Sequence, residues 1–291
     1  MDIVKETKLI GNYLIGLRKD FHKYPELSMQ EHRTSRKIKE ELDKINVKYK
    51  EGIRTEVVAT IGHGEGKVIA LRADMDALRI KENTGVRYQS ENEGVMHACG
   101  HDAHMASLLG AAMILKKYEN DIPGKIVLIF QPGEECSSGA RLISEHGYID
   151  EVEEIFGLHV FGDIECGKIS IEEGPRMAAS NKFTIKITGK SGHAGKPQQC
   201  IDATIVCAAI VMNLQSIISR EIDPLNSAVV TIGHIKSGET HNIISGEAFI
   251  EGTIRCFNAS TTKHIQTSIK RIAYSTAIAY GATASVEYDI S

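Results

Sequence analysis

Residues 125–135 read KIVLIFQPGEE: a nearly unbroken apolar run, a Pro-Gly turn, then two carboxylates. An apolar run this short, closed by turn residues, has the profile of a strand buried on both faces in a parallel sheet. Outward from it, residues 57–61 and 68–73 read as strands, and residues 103–117 as a helix with Leu108, Leu109, Ala112 and Leu115 at helical spacing. Residues 4–45 read as helical, broken at Tyr24-Pro25, because proline disfavours helix for the residue before it. Downstream, residues 139–146 read as helix and residues 154–160 as a second buried strand. Strands alternating with helices predict an α/β layer architecture on a mostly parallel sheet.

The pattern changes near Ala178, after a short linker at 174–180. Strand (182–188), helix (202–220), strand (228–236), strand (247–256), helix (261–280) and strand (283–288) follow. That β-α-β-β-α-β order is ferredoxin-like. Two domains are expected, 1–178 and 179–291.

In open α/β sheets, ligands sit beyond the carboxyl ends of the strands. Those ends carry Asp74 and Asp76, Glu134 and Glu135, and His159. Just before a predicted helix, HACGHDAH (97–104) gathers three histidines, a cysteine and an aspartate. Imidazole and thiolate suit borderline-soft cations such as Zn²⁺, and a neighbouring carboxylate can orient an imidazole. Metal-assisted hydrolysis needs one carboxylate on the cation and another to move a proton, and adjacent residues in an extended turn point in different directions. By residue type alone, Glu134-Glu135 also fits a solvated loop, and His159 a core histidine. Asp74 and Asp76 also fit caps, while His97 and His104 fit either supports for the ligands or merely structural roles and are not assigned as ligands.

Composition narrows the classes. With 291 residues, 42% of them hydrophobic, the chain can bury a large core, and a net charge of −4 gives no reason to expect nucleic acid or an anionic membrane as partner. The charged opening stretch lacks a signal-peptide core, and no unbroken apolar run reaches spanning length, so a cytoplasmic protein is expected. The six cysteines form no tight disulfide framework, and all but Cys99 read as buried or idle thiols.

Seven stretches together resemble the di-metal amidohydrolases that include hippurate hydrolases, plant auxin-conjugate hydrolases and acetyldiaminopimelate deacetylases, a branch of the aminoacylase and carboxypeptidase family. They are RKDFHKYPELSMQEHRTS (18–35), LRADMDAL (71–78), MHACGHDAHMASLLGAA (96–112), FQPGEE (130–135), GLHV (157–160), GKSGHAGKPQQCIDA (189–203) and HNIISGEAFIEGTIRCFN (241–258). The resemblance implies Cys99, His101, Glu135 and His159 as metal ligands, Cys99 standing where the wider family has a bridging aspartate. It implies Glu134 as general base, Asn242 near the substrate, and His193 as a lid histidine reaching the partner subunit's site in a homodimer. By chemistry alone, His193 between glycines equally fits an exposed turn.

Two divalent ions are implied, Zn²⁺ or Mn²⁺, with Ni²⁺ and Co²⁺ sharing the same ligands. The implied reaction is hydrolysis of an N-acyl amino acid, of N-acetyl or N-benzoyl type, by a metal-activated water. Two departures accompany the match. Arg79 stands where the family usually has proline, and the family's return to the catalytic domain, with one more histidine ligand, has no counterpart here. The competing readings are a catalytically weak relative that assembles through its lid domain, and a structural zinc domain with no use for Glu134.

Overall fold

The computed structural model describes residues 2–290, which form two compact units that divide between Ser170 and Ile171. In the first unit the chain opens with two helices, α1 (Ile3–Lys23) and α2 (His32–Lys44), separated where Pro25 forbids continuation. Glu31 precedes α2 without capping it through its own side chain; instead the Glu26 carboxylate accepts the N–H groups of Arg33 (3.0 Å) and Thr34 (2.8 Å).

Five strands follow: β1 (Tyr49–Lys50), β2 (Val57–Ile61), β3 (Val68–Asp74), β4 (Lys125–Gln131) and β5 (Glu154–Gly157), in the sheet order β1-β2-β4-β3-β5. β4 pairs parallel with β3, and β3 parallel with β5, while β1–β2 and β2–β4 are antiparallel. The sheet is therefore mixed, with its parallel part on the side that carries the acidic strand ends.

KIVLIFQ behaves as its composition predicts. Ile126, Leu128 and Phe130 join a core with Leu17, Phe21, Ile38, Leu42 and residues of α3 (His101–Lys117), among them Met105 and Leu109. The alternate side chains, Val127 and Ile129, enter a second core with Leu142 and Ile143 of α4 (Gly139–Glu145). Helices thus cover both faces of β4, which explains why it shows no polar alternation. Truncating the fully buried Phe130 to alanine would cost about 3–5 kcal/mol.

Two expectations need correction. The helix read as starting at 103 starts at His101, because Gly100 takes a left-handed φ of +87° and turns the chain into the helix two residues earlier. The strand read as buried over 154–160 is only four residues long, and its Ile155 and Phe156 are 51% and 52% exposed. Among the described residues β5 is the edge strand and pairs with β3 alone, so apolar composition there does not report burial.

The second unit is a four-stranded antiparallel sheet of β6 (Ala179–Thr188), β8 (Ala228–Ser237), β10 (Glu247–Cys256) and β11 (Thr283–Ile290), ordered β11-β6-β10-β8. That order, with α5 (Ala203–Ser216) and α6 (Ala259–Ala279) between the strands, is the ferredoxin-like one expected. Period-two alternation in β6 sends Phe183, Ile185 and Ile187 inward against Ile210, Leu214, Ile265 and Ile269 of the helices. Asp202 and Asn258 cap the two helices through their side chains. A two-stranded ribbon, β7 (Gly192–His193) with β9 (Ile243–Ile244), stands apart from the sheet.

Candidate metal centre

β3 and β4 end side by side, and their register pairs Asp74 with Gln131. The Pro132-Gly133 turn therefore delivers Glu134 and Glu135 next to the Asp74–Asp76 segment. The Asp76 carboxylate accepts the backbone N–H groups of both Glu134 and Glu135, each at 3.0 Å, and the hydroxyl of Ser28 at 2.6 Å. Burial opposes ionisation of Asp76, but these donors and His101 hold its pKa below the ordinary carboxylate value.

α3 brings its first turn to the same place. His101 donates Nδ1–H to the Asp76 carbonyl oxygen at 2.8 Å, which turns Nε2 inward. That buried Nε2 has no hydrogen-bond partner among the described residues and lies 3.6 Å from Asp74 Oδ2 and 3.9 Å from Glu135 Oε1. Burial disfavours a charged His101, yet Asp76, Asp74 and Glu135 outweigh it and raise its pKa. Surroundings that favour a proton on Nε2 also favour a cation there.

His159 lies just beyond β5. Its Nδ1–H donates to the Val160 carbonyl at 2.7 Å, leaving Nε2 3.3 Å from Cys99 Sγ. Burial and the nearby Glu135 push the Cys99 thiol up to about 12. Glu134 is likewise raised, by burial and then by the charge of Glu135.

Ligand atoms of Cys99, His101 and His159 lie within 4.8 Å of one another, as do those of His101, Glu134 and Glu135. A thiol, two imidazoles and two carboxylates meet around an orphaned imidazole nitrogen. Divalent cations would give all of these donors a shared partner, so the residues present fit such ions.

His104 has a different place. It donates Nδ1–H to Asp74 Oδ1 at 2.6 Å and accepts the Val160 N–H on Nε2 at 3.0 Å, so both nitrogens are engaged. It pins the residue after His159 instead of offering a lone pair. His97 is 3% exposed, and burial brings its pKa down to about 4.

Sequence reasoning left Asp74 and Asp76 undecided and gave Glu31 no role. Glu31 accepts the Gly133 N–H at 2.8 Å, a contact across 102 positions that no local spacing announces. In the second unit, His193 and Asn242 are brought together on the small ribbon. The Ala194 N–H donates to the Asn242 carbonyl at 3.0 Å, and His193 pairs in register with Ile243.

The chain is similar to known proteins over most of its length. An N-acetyl-L-cysteine deacetylase of Bacillus subtilis (strain 168) is 41% identical over 277 residues, covering 94% of this chain and 67% of that protein. An IAA-amino acid hydrolase (ILR1-like 4) of Arabidopsis thaliana is 42% identical over 262 residues, covering 90% of this chain and 60% of its own length. The chain thus spans between 60% and 67% of the length of these two relatives. A solved dinuclear metal-binding peptidase of the M20 family from Bacillus subtilis superposes with a TM-score of 0.79 at 37% identity, over 97% of this chain and 74% of that one. The family model itself matches residues 70–287, and on that span the chain belongs to peptidase family M20/M25/M40.

Proposed function

We propose that this chain is a metal-dependent amidohydrolase that cleaves N-acyl amino acids, of N-acetyl or N-benzoyl type, to a carboxylate and a free amino acid. One observation carries the reading: adjacent Glu134 and Glu135 share a turn beside the orphaned Nε2 of His101. Cys99, His101, Glu135 and His159 are the proposed holders of two divalent ions, Zn²⁺ or Mn²⁺. Bound there, such ions supply Lewis acidity, which acidifies water and polarises an amide carbonyl.

The protein's own groups do the rest. Glu134, with its pKa raised by burial and Glu135, is suited to take a proton from the attacking water and return it to the leaving amine nitrogen. Asp76 holds the backbone of both glutamates, and His104 holds the strand end that carries His159. His193 is assigned as a donor to the developing oxyanion and Asn242 as a substrate contact. Their adjacency on the ribbon supports treating them as a pair.

Residues 179–291 are proposed as a lid and dimerisation domain, the protein acting as a homodimer. A cytoplasmic setting fits six cysteines that are all unpaired.

The test is Glu134→Gln, assayed on a panel of N-acetyl and N-benzoyl amino acids after loading with Zn²⁺ or Mn²⁺. Turnover should fall by at least about 10³-fold, the upper range of losses on removing a proton-transfer group, while metal stoichiometry is unchanged. Undiminished turnover would remove Glu134 from the mechanism.

A further inference from the structure

The turn that carries Glu134 and Glu135 is held in an unusual way. Three successive backbone N–H groups, those of Gly133, Glu134 and Glu135, are each accepted by a buried carboxylate from elsewhere in the chain. Asp76 takes two of them, and Glu31 takes the first, at 2.8 Å. Glu31 is fully buried. Its Oε1 also accepts the Met29 N–H at 2.8 Å, and its Oε2 the Thr55 hydroxyl at 2.6 Å. Among the described residues no lysine or arginine pairs with it, and burial, its dominant influence, raises its pKa. A buried carboxylate supported by neutral donors alone is costly to maintain, and a hydrophobic residue would fill the space more cheaply.

The segment around Glu31 is fixed to the same two strand ends. Ser28 donates to Asp76 Oδ2 at 2.6 Å. The Ala77 N–H donates to the Glu26 carbonyl at 2.8 Å, and Leu27 forms a parallel bridge with Ala77. Met29 adopts a left-handed φ of +63°, unusual for a residue with a side chain, and its sulfur packs on Gly133, itself at φ +55°. A Cβ on Gly133 would lie 2.6 Å from that sulfur. The stretch PELSMQE (25–31) is therefore folded against both halves of the site floor, although none of its side chains is grouped with the candidate ligands.

We propose that Glu31 is a positioning residue for the reaction: it fixes the backbone at Gly133 so that Glu134 and Glu135 project at the angles needed for proton transfer and metal ligation. Ser28 acts in the same sense through Asp76. The proposal rests on Glu134 being the general base. Catalytic groups work only when held close to the productive geometry, and a displacement of 1 Å costs about 10²-fold in rate.

The test uses the full chain with Glu31→Ala, Glu31→Gln and Ser28→Ala. Two measurements are made on each: amide hydrogen exchange of peptides spanning 130–138 in metal-free protein, and kcat and KM for N-acetyl-L-cysteine after Mn²⁺ loading. Glu31→Ala should speed exchange at Gly133 by about tenfold or more. It should lower kcat by about 10- to 100-fold, with KM within about twofold. Glu31→Gln keeps a carbonyl oxygen for both N–H groups and an amide that can donate to Thr55 Oγ1. It should restore exchange and kcat to within about threefold of the parent.

A folded Glu31→Ala with parental exchange and kcat would overturn the proposal, as would a glutamine variant as impaired as the alanine one. Should Glu31→Ala fail to fold, Ser28→Ala decides: faster exchange at Glu134 and Glu135 with a lower kcat supports the brace, and parental values overturn it. The exchange measurement needs neither metal nor substrate. Absence of turnover in the parent, or full activity of Glu134→Gln, would therefore defeat the general-base reading separately from the brace.

Discussion

Replacing Asp74 with asparagine changes one atom at the floor of the metal centre, and its consequence can be worked out. Asp74 is 1% exposed. Its Oδ1 accepts His104 Nδ1–H at 2.6 Å, and its Oδ2 accepts Arg72 Nη1–H at 2.6 Å. Burial alone would raise its pKa, but the His104 hydrogen bond, Arg72 and His101 overcome it and hold the carboxyl at about 2, against an ordinary 3.8.

At about 1.4 kcal/mol per pH unit, the gap corresponds to about 2–3 kcal/mol of folding stability at neutral pH. Because the folded value is the lower one, this contribution is complete above the unfolded value and drains away as pH falls. About half should remain at pH 3. An asparagine can accept from only one of the two donors, and its own N–H₂ faces the other. Arg72 keeps its bond to Gln131 Oε1 in either case.

In chelator-treated protein, guanidinium denaturation followed by circular dichroism should show Asp74→Asn less stable by about 2–3 kcal/mol at pH 7, the deficit narrowing toward pH 3. Equal stabilities at pH 7, or a deficit constant from pH 7 to pH 3, would refute the reasoning.

Two further outcomes follow from other parts of the molecule. His22 sits between Asp102 (2.8 Å) and Glu82 (3.1 Å), and its pKa is raised above 6.5 by the Asp102 hydrogen bond against the pull of burial, with help from Glu82. A raised histidine stabilises fully below its unfolded value and loses that contribution as pH climbs through the folded one. The Tm of the parent should therefore decline above pH 6.5 more steeply than that of His22→Gln, and parallel profiles would show that His22 is uncharged in the folded protein. In the second unit, a Cβ on Gly252 would lie 2.3 Å from Phe183 Cζ and 2.5 Å from the Thr231 carbonyl oxygen, at a bulge in the β8–β10 pairing. Phe183 is fully buried and cannot withdraw, so Gly252→Ala should destabilise this unit by about 2 kcal/mol or more, lowering its calorimetric Tm by roughly 10 °C.

How far the sequence could be read depends on the range over which each signal acts. KIVLIFQ was legible because burial on both faces is written into consecutive residues, and the lid order because period-two alternation and helix caps are local. β5 misled because EIFG has core composition, while its position at the sheet edge is set by pairings made elsewhere. The histidines divide in the same way. HACGHDAH shows three of them, but His101 and His104 differ only in what lies opposite: a backbone carbonyl that turns one nitrogen inward, or a carboxylate and an N–H that use up both.

Glu31 is the limiting case. In sequence it is one acidic residue among several in an amphipathic stretch. Its distinction is the Gly133 N–H, a contact of the folded chain, in which β2 pairs with β4 and Thr55 donates to its other oxygen. Spacing rules extend about one helical turn or one strand, so they find the groups that act on a substrate sooner than the groups that hold those groups still. The supporting residues of a site built on strand ends should therefore be sought among buried carboxylates and hydroxyls with no local partner, a search that needs coordinates and only then returns to the sequence.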